Sequence, residues 1–243
     1  MSKLLLVLVT AAVVSYSATE KLPAYITACK EDDPNLNACA LGSAKKAFPQ
    51  MVNGDKKYGI PSLNPLVVEK AEIPGNGLDL TFMNAKLHGL PDTDIRDVKF
   101  DTTKQYLEVN FLIPHLYVDS DYKIDGKLLV VPLKGDGKTN ITLTDVDLTY
   151  KANYLKEKAA DGEDHIKLQK PDFDFKVSRA YIRLENLFNG DKALSDATHK
   201  FLDENWEDVV KELGPPILEI VHQISSNILG NIASRVPYKD FWA

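Results

Sequence analysis

Catalysis needs reactive side chains held at fixed spacing, and the candidate groups in this chain are dispersed. The five histidines, His88, His115, His165, His199 and His222, stand singly, with no HExxH pair to hold zinc. No serine sits in a GxSxG elbow, which is where an ester hydrolase would place its nucleophile. No GxxxxGK[ST] loop cradles phosphate, and no GxGxxG follows a strand. The 35 acidic residues form pairs by number alone, without a spacing that would separate a general acid from a general base. The chain is therefore read as a binding protein and not an enzyme, with no metal and no cofactor expected.

Three kinds of residue carry other chemistry. Cys29 and Cys39 are the only cysteines, so an oxidising compartment would leave them one pairing. That short loop is worth about 3 kcal/mol in the chain-entropy picture. Asn140-Ile141-Thr142 is an acceptor sequence for N-glycosylation, placing Asn140 on an exposed surface. His115 follows Pro114 in an apolar stretch, either on a wet face or as a polar group inside a cavity. Tyr117, Tyr122, Tyr150, Tyr154 and Tyr181 leave the same two readings open, since a buried hydroxyl needs a partner from protein, water or ligand.

The compartment follows from the N-terminus. Lys3 precedes an apolar run from Leu4 to Val14, and Ser15-Tyr16-Ser17-Ala18 supplies small residues behind it. This pattern is a secretory leader cleaved after Ser17, giving a signal peptide over 1–17 and one domain over 18–243. The run falls well short of the roughly 20 residues needed to span a bilayer. The formal net charge is −6, and loss of Lys3 with the leader makes it −7. An acidic surface without a basic stripe excludes nucleic acid and gives no hold on anionic lipid. A secreted monomer with no stable membrane insertion is expected.

The elements that would position a site fall in three zones. Up to about Pro65 the chain is turns and short helix, with Asn35 as the cap of a helix from Leu36 to about Ala47. From Leu66 to Leu187 apolar residues alternate with polar ones. Leu107, Val109, Phe111 and Ile113 form one such series, Tyr122, Ile124, Leu128 and Val130 a second, Val146 to Tyr154 a third, and Phe173, Phe175 and Val177 a fourth. A period of two over this length means antiparallel sheet with one dry face. Gly135-Asp136-Gly137 and Asp161-Gly162 mark hairpin ends, and Gly75-Asn76-Gly77 another turn. After Asn189-Gly190-Asp191 the period becomes helical through Leu194, Ala197, Phe201, Leu202, Trp206, Val209, Val210 and Leu213. Gly214-Pro215-Pro216 should end or kink that helix, and a second apolar stripe runs from Ile217 to Ile232. The expected fold is α+β: a long, curved antiparallel sheet wrapped around a long C-terminal helix.

Several blocks, in order and at consistent spacing, resemble the takeout and haemolymph juvenile hormone-binding protein family of insects. They are Gly59-Ile60-Pro61-Ser62-Leu63-Asn64-Pro65-Leu66, Leu187-Phe188-Asn189-Gly190-Asp191-Lys192-Ala193-Leu194 and Phe201-Leu202-Asp203-Glu204-Asn205-Trp206, with the early Cys29/Cys39 pair. The resemblance implies a tubular lipid-binding fold with a hydrophobic tunnel between sheet and helix. It implies a secreted carrier of a juvenile hormone-like terpenoid, fatty acid or other long apolar molecule, in a setting of clock and feeding control. The chain lacks cysteines for the second disulfide of the moth hormone carriers, which places it on the takeout side. Alternation and helical spacing put Phe111, Ile113, Tyr150, Phe173 and Phe175 on the sheet lining of such a tunnel, and Ile217, Val221, Ile224 and Ile228 on the helix lining. The alternative is a secreted signalling protein acting on a receptor through the Leu187–Gly190 segment or the aromatic tail at Phe241 and Trp242.

Overall fold

The computed structural model describes residues 20–75 and 77–243; the expected leader at 1–17, and Asn76 within its turn, lie outside them. The elements are α1 (Leu36–Met51), β1 (Leu66–Gly75), β2 (Leu78–His88), β3 (Asp94–Asp101), β4 (Tyr106–Leu128), β5 (Val131–Lys158), β6 (Asp164–Leu168), β7 (Asp172–Lys176), β8 (Arg179–Leu184), α2 (Lys192–Glu204) and α3 (Trp206–Ala233). All strand pairings are antiparallel. The sheet runs β1-β2-β4-β5-β6, with β3 added to β4 and both β7 and β8 added to β5, and it does not close on itself.

Length forces the sheet to curve. The 28 residues of β5 would span about 90 Å if straight. The 28 residues of α3 span about 42 Å. One body can hold both only if the strands bend around the helix. The bends sit at irregular points in the ladder. The β4–β5 pairing skips Pro114, which has no N–H to donate, and opposite it Asp145 takes a φ of 47°. The register of β2 against β4 shifts between Met83 and Lys86, around Asn84 at a φ of 53°. Gly89, at a φ of 93°, passes so close to β4 that an added Cβ would lie 1.9 Å from the His115 carbonyl oxygen.

The two ends of the wrapped sheet are filled differently. At one end β1, β2, β8 and the joined ends of β4 and β5 enclose a solid core. There Tyr122, Ile124, Leu133 and Leu187 pack with Leu202 of α2 and Val209 of α3. The Tyr122 hydroxyl donates to the Glu185 carbonyl at 2.7 Å, so this tyrosine is satisfied within the protein. At the other end β3, β6, β7 and the opposite ends of β4 and β5 meet α1 and the later turns of α3 around a cavity.

Four local expectations are corrected. The turn between β4 and β5 lies at Leu129–Val130, not at Gly135-Asp136-Gly137, and Val130 is 71% exposed at its tip. Those glycines serve another purpose. The chain after β8 crosses directly over β5, and an added Cβ at Gly137 would lie 2.7 Å from the Glu185 carbonyl oxygen. The C-terminal helix breaks at Asn205, not at Gly214-Pro215-Pro216, which α3 carries in its interior. Asn205 leaves helical geometry and its Nδ2 donates to the Phe201 carbonyl at 2.8 Å, while Gly214 is where the helix meets the Phe175 ring. Leu194 is 52% exposed and Ala197 is exposed, so α2 buries Thr198 and Leu202 instead. Asn35 begins α1 without a side-chain cap; its own N–H donates to the Asp33 carboxylate at 2.7 Å.

Two outcomes follow from these contacts. Gly137→Ala should lower unfolding free energy by about 1–3 kcal/mol in chemical denaturation, because the strand and the chain over it cannot both stay in place. His199 accepts from the Leu184 N–H at 3.1 Å through Nε2, and burial, then the Arg183 charge, hold its pKa below the ordinary histidine range. The folded form therefore prefers neutral His199. Its contribution is complete above the unfolded value of about 6.5 and declines as pH falls below it. Thermal unfolding at pH 7.5 and 5.5 should show this loss, and it should shrink in His199→Gln.

Candidate ligand-binding cavity

The cavity is built outward from α1. Leu36, Ala40, Ala44 and Ala47 repeat at helix spacing and turn one face of α1 inward, joined by Phe48 and Met51. The three alanines leave space where larger side chains would fill it. Covalent and polar ties hold this helix down. Cys29 is joined to Cys39 by the disulfide. Ser43 accepts from the Thr27 N–H at 2.9 Å and donates to the Thr27 carbonyl at 2.8 Å. The Phe100 N–H of β3 donates to Asn37 of α1 at 2.8 Å.

The remaining walls come from the inward face of the sheet and from α3. Ile95 and Val98 of β3, Leu107, Val109 and Phe111 of β4, and Leu148, Tyr150 and Tyr154 of β5 form the curved side. Phe173 comes from β7, and Val221, Ile228 and Ile232 from α3. The C-terminal tail completes the wall. Trp242 forms a parallel bridge with Cys29, the Ala243 N–H donates to the Cys29 carbonyl at 2.9 Å, and the Trp242 ring meets Phe100 edge-on at 5.3 Å. Phe241 and Trp242, read from the sequence as an exposed handle, are docked into the cavity wall. The space is about 460 Å³ and its lining is almost wholly apolar.

Three polar atoms in that wall have no hydrogen-bond partner among the described residues: the Tyr150 and Tyr154 hydroxyls and Trp242 Nε1. Tyr150 is 2% exposed and lies edge-on to Phe173 at 5.4 Å. Burial pushes its pKa up to about 12, so it stays a neutral hydroxyl. A buried hydroxyl without a partner is costly, and a ligand oxygen is one way to meet it.

Of the nine lining residues expected from the sequence, Phe111, Tyr150, Phe173, Val221 and Ile228 come together around this cavity. Ile113, Phe175, Ile217 and Ile224 do not line it. Phe175 packs on Gly214, where an added Cβ would lie 2.5 Å from its ring, and Ile217 is 40% exposed on the outer side of α3. Ile113 is buried beside the Pro114 bend. The α1 face was not among the expected lining, although its apolar spacing is legible in the sequence. His115 takes the wet-face reading: it is exposed on β4 and stacks on Tyr117 at 6.1 Å. Tyr117 and Tyr181 are also exposed, and Tyr154 is buried in the cavity wall. Asn140 is exposed in the middle of β5, not beside a turn, and its Nδ2 donates to Asp119 at 2.8 Å. Among the described residues no cluster of histidine, cysteine and carboxylate could hold a metal ion, and no helix is long and apolar enough to cross a membrane.

This architecture has known counterparts. The crystal structure of Epiphyas postvittana Takeout 1 superposes with a TM-score of 0.79 at 30% sequence identity, covering 88% of this chain and 98% of that one. The circadian clock-controlled protein daywake of Drosophila melanogaster is 27% identical over 237 residues, spanning 93% of this chain and 90% of its own. Its Drosophila yakuba counterpart is 24% identical over the same length. The family model described as haemolymph juvenile hormone binding protein matches residues 4–243, and with this coverage the chain belongs to that family.

Proposed function

We propose that this protein is an extracellular carrier that shelters one elongated apolar molecule, a juvenile hormone-like terpenoid or a fatty acyl chain, in the cavity between α1, the sheet and α3. The observation that carries this reading is a space of about 460 Å³ lined almost wholly by apolar side chains. Water gains little there, whereas each methylene moved in from solvent contributes about 0.8 kcal/mol. The leader expected at 1–17 and the Cys29–Cys39 disulfide support secretion. Circadian control, printed in the name of the Drosophila relatives, is the physiological setting that this reading extends to the present chain.

The first test is native mass spectrometry and organic extraction of the protein secreted from insect cells. One apolar molecule per chain is expected. Protein that emerges empty and takes up neither isoprenoids nor fatty acids would sink the carrier reading.

Two finer outcomes follow. Shortening a bound chain should weaken affinity about four-fold per methylene, the equivalent of about 0.8 kcal/mol each. Ile228→Trp should abolish uptake while circular dichroism stays native, since Ile228 faces the cavity. The unpartnered hydroxyl gives a second pair. Tyr150→Phe should leave the ligand-free protein as stable as the original or slightly more so, because no hydrogen bond is lost. It should weaken binding of an oxygenated ligand while sparing its hydrocarbon analogue; equal effects on both would remove Tyr150 as a polar anchor.

A further inference from the structure

A second concave space adjoins the apolar cavity and differs from it in chemistry. It is a groove of about 530 Å³ between β6 with the adjoining end of β5 on one side and α3 on the other. Ile166 and Leu168 of β6 belong to both linings, so a single short strand separates the apolar interior from the groove. β6 has a strand neighbour only in β5, and its other edge holds one isolated bridge, from His165 to Pro237. Across the groove α3 presents His222, Ser226 and Gly230, with its C-cap Ser234, four residues apart and so on one face of the helix. An added Cβ at Gly230 would meet nothing within 4 Å, so this side of the groove is open.

The groove is less apolar than the cavity, and its lining is basic in a protein whose formal net charge is −6. Lys158, Lys167 and Lys170 line it with His165 and His222, against one acid, Glu157. Glu157 is bound by Lys167 at 2.9 Å and Lys170 by Glu219 at 3.0 Å, which leaves Lys158 outside any ion pair among the described residues. His165 is buried, holds Asp161 through Nε2 at 2.9 Å, and keeps Nδ1 without a partner among the described residues. A buried ring nitrogen left unpaired marks a wall made to meet another polar group.

We propose that the groove is a headgroup site and the β6–α3 seam a side portal. The cargo is then an amphiphile, a long-chain carboxylate. Its tail lies in the apolar cavity and its anionic head lies in the groove near Lys158. This inference rests on the carrier reading and narrows its ligand class. The energetic reason is complementarity at both ends: burying a carboxylate inside the apolar cavity would carry a heavy desolvation cost, whereas a basic groove at the wall leaves the charge wet and paired.

Three fluorescent probes test it on the whole secreted protein: cis-parinaric acid, its methyl ester, and N-phenyl-1-naphthylamine, an apolar probe without an acyl chain. The acid should bind about ten-fold more tightly than the ester, the margin of one charge-assisted contact. Lys158→Glu should erase that preference while leaving ester affinity in place. Gly230→Trp should fill the groove and weaken the acid, with naphthylamine uptake unchanged and circular dichroism native. Equal binding of acid and ester to the original protein, or full acid affinity in Gly230→Trp, would overturn the headgroup site while leaving the carrier intact. Binding of none of the three probes would overturn both.

Discussion

The mismatch in length between strand and helix governs this molecule. β4 and β5 are too long to lie straight beside α3, and a sheet with one dry face has to keep that face covered along its whole length. Bending reconciles the two. The bend is placed by residues that interrupt the ladder, namely Pro114 opposite Asp145, Asn84 in β2, and Gly89 pressed against β4. Once the sheet is curved, its inner face encloses more volume than α3 alone occupies. That surplus is consumed at one end and kept at the other.

What decides between filled and hollow is the cover. Over the solid end, α2 and the chain after β8 bring Leu187, Leu202 and Phe201 down onto Tyr122 and Leu133. Over the hollow end the cover is α1, whose inward face carries three alanines and whose position is fixed by the disulfide, the Ser43–Thr27 pair and the Asn37–Phe100 contact. Anchoring at the rim replaces the interdigitation that would otherwise hold a helix on a sheet. A lid held in this way does not need to touch the far wall, and the space beneath it can persist.

Much of the architecture was legible in the residues. The alternation in β4 and β5 and the stripe along α3 were enough to place a curved sheet around a long helix. The punctuation was less legible. Glycines read as turns when Gly135 and Gly137 in fact admit a crossing chain, and the real turn uses Leu129 and Val130. Two prolines read as a helix end or kink, yet α3 continues through them. The cavity itself was the hardest part. Inward positions look alike whether they meet a partner or a void, so Tyr122 and Tyr150 carry the same periodicity, though one hydroxyl is bonded to Glu185 and the other to nothing among the described residues. Phe175 and Phe173 differ in the same way, because only the first meets Gly214.

The split between a solid end and a hollow one also sets how the molecule meets compression. Unfolding removes internal voids, so hydrostatic pressure favours the unfolding of whichever part contains them. Here that volume is confined beneath α1, while the core around Tyr122 is close-packed. Squeezing the protein would therefore work on one end alone, driving the chain around the cavity to open while the other end stayed folded. A cargo molecule that occupies the void removes the volume on which pressure acts, so a filled carrier is the less compressible one.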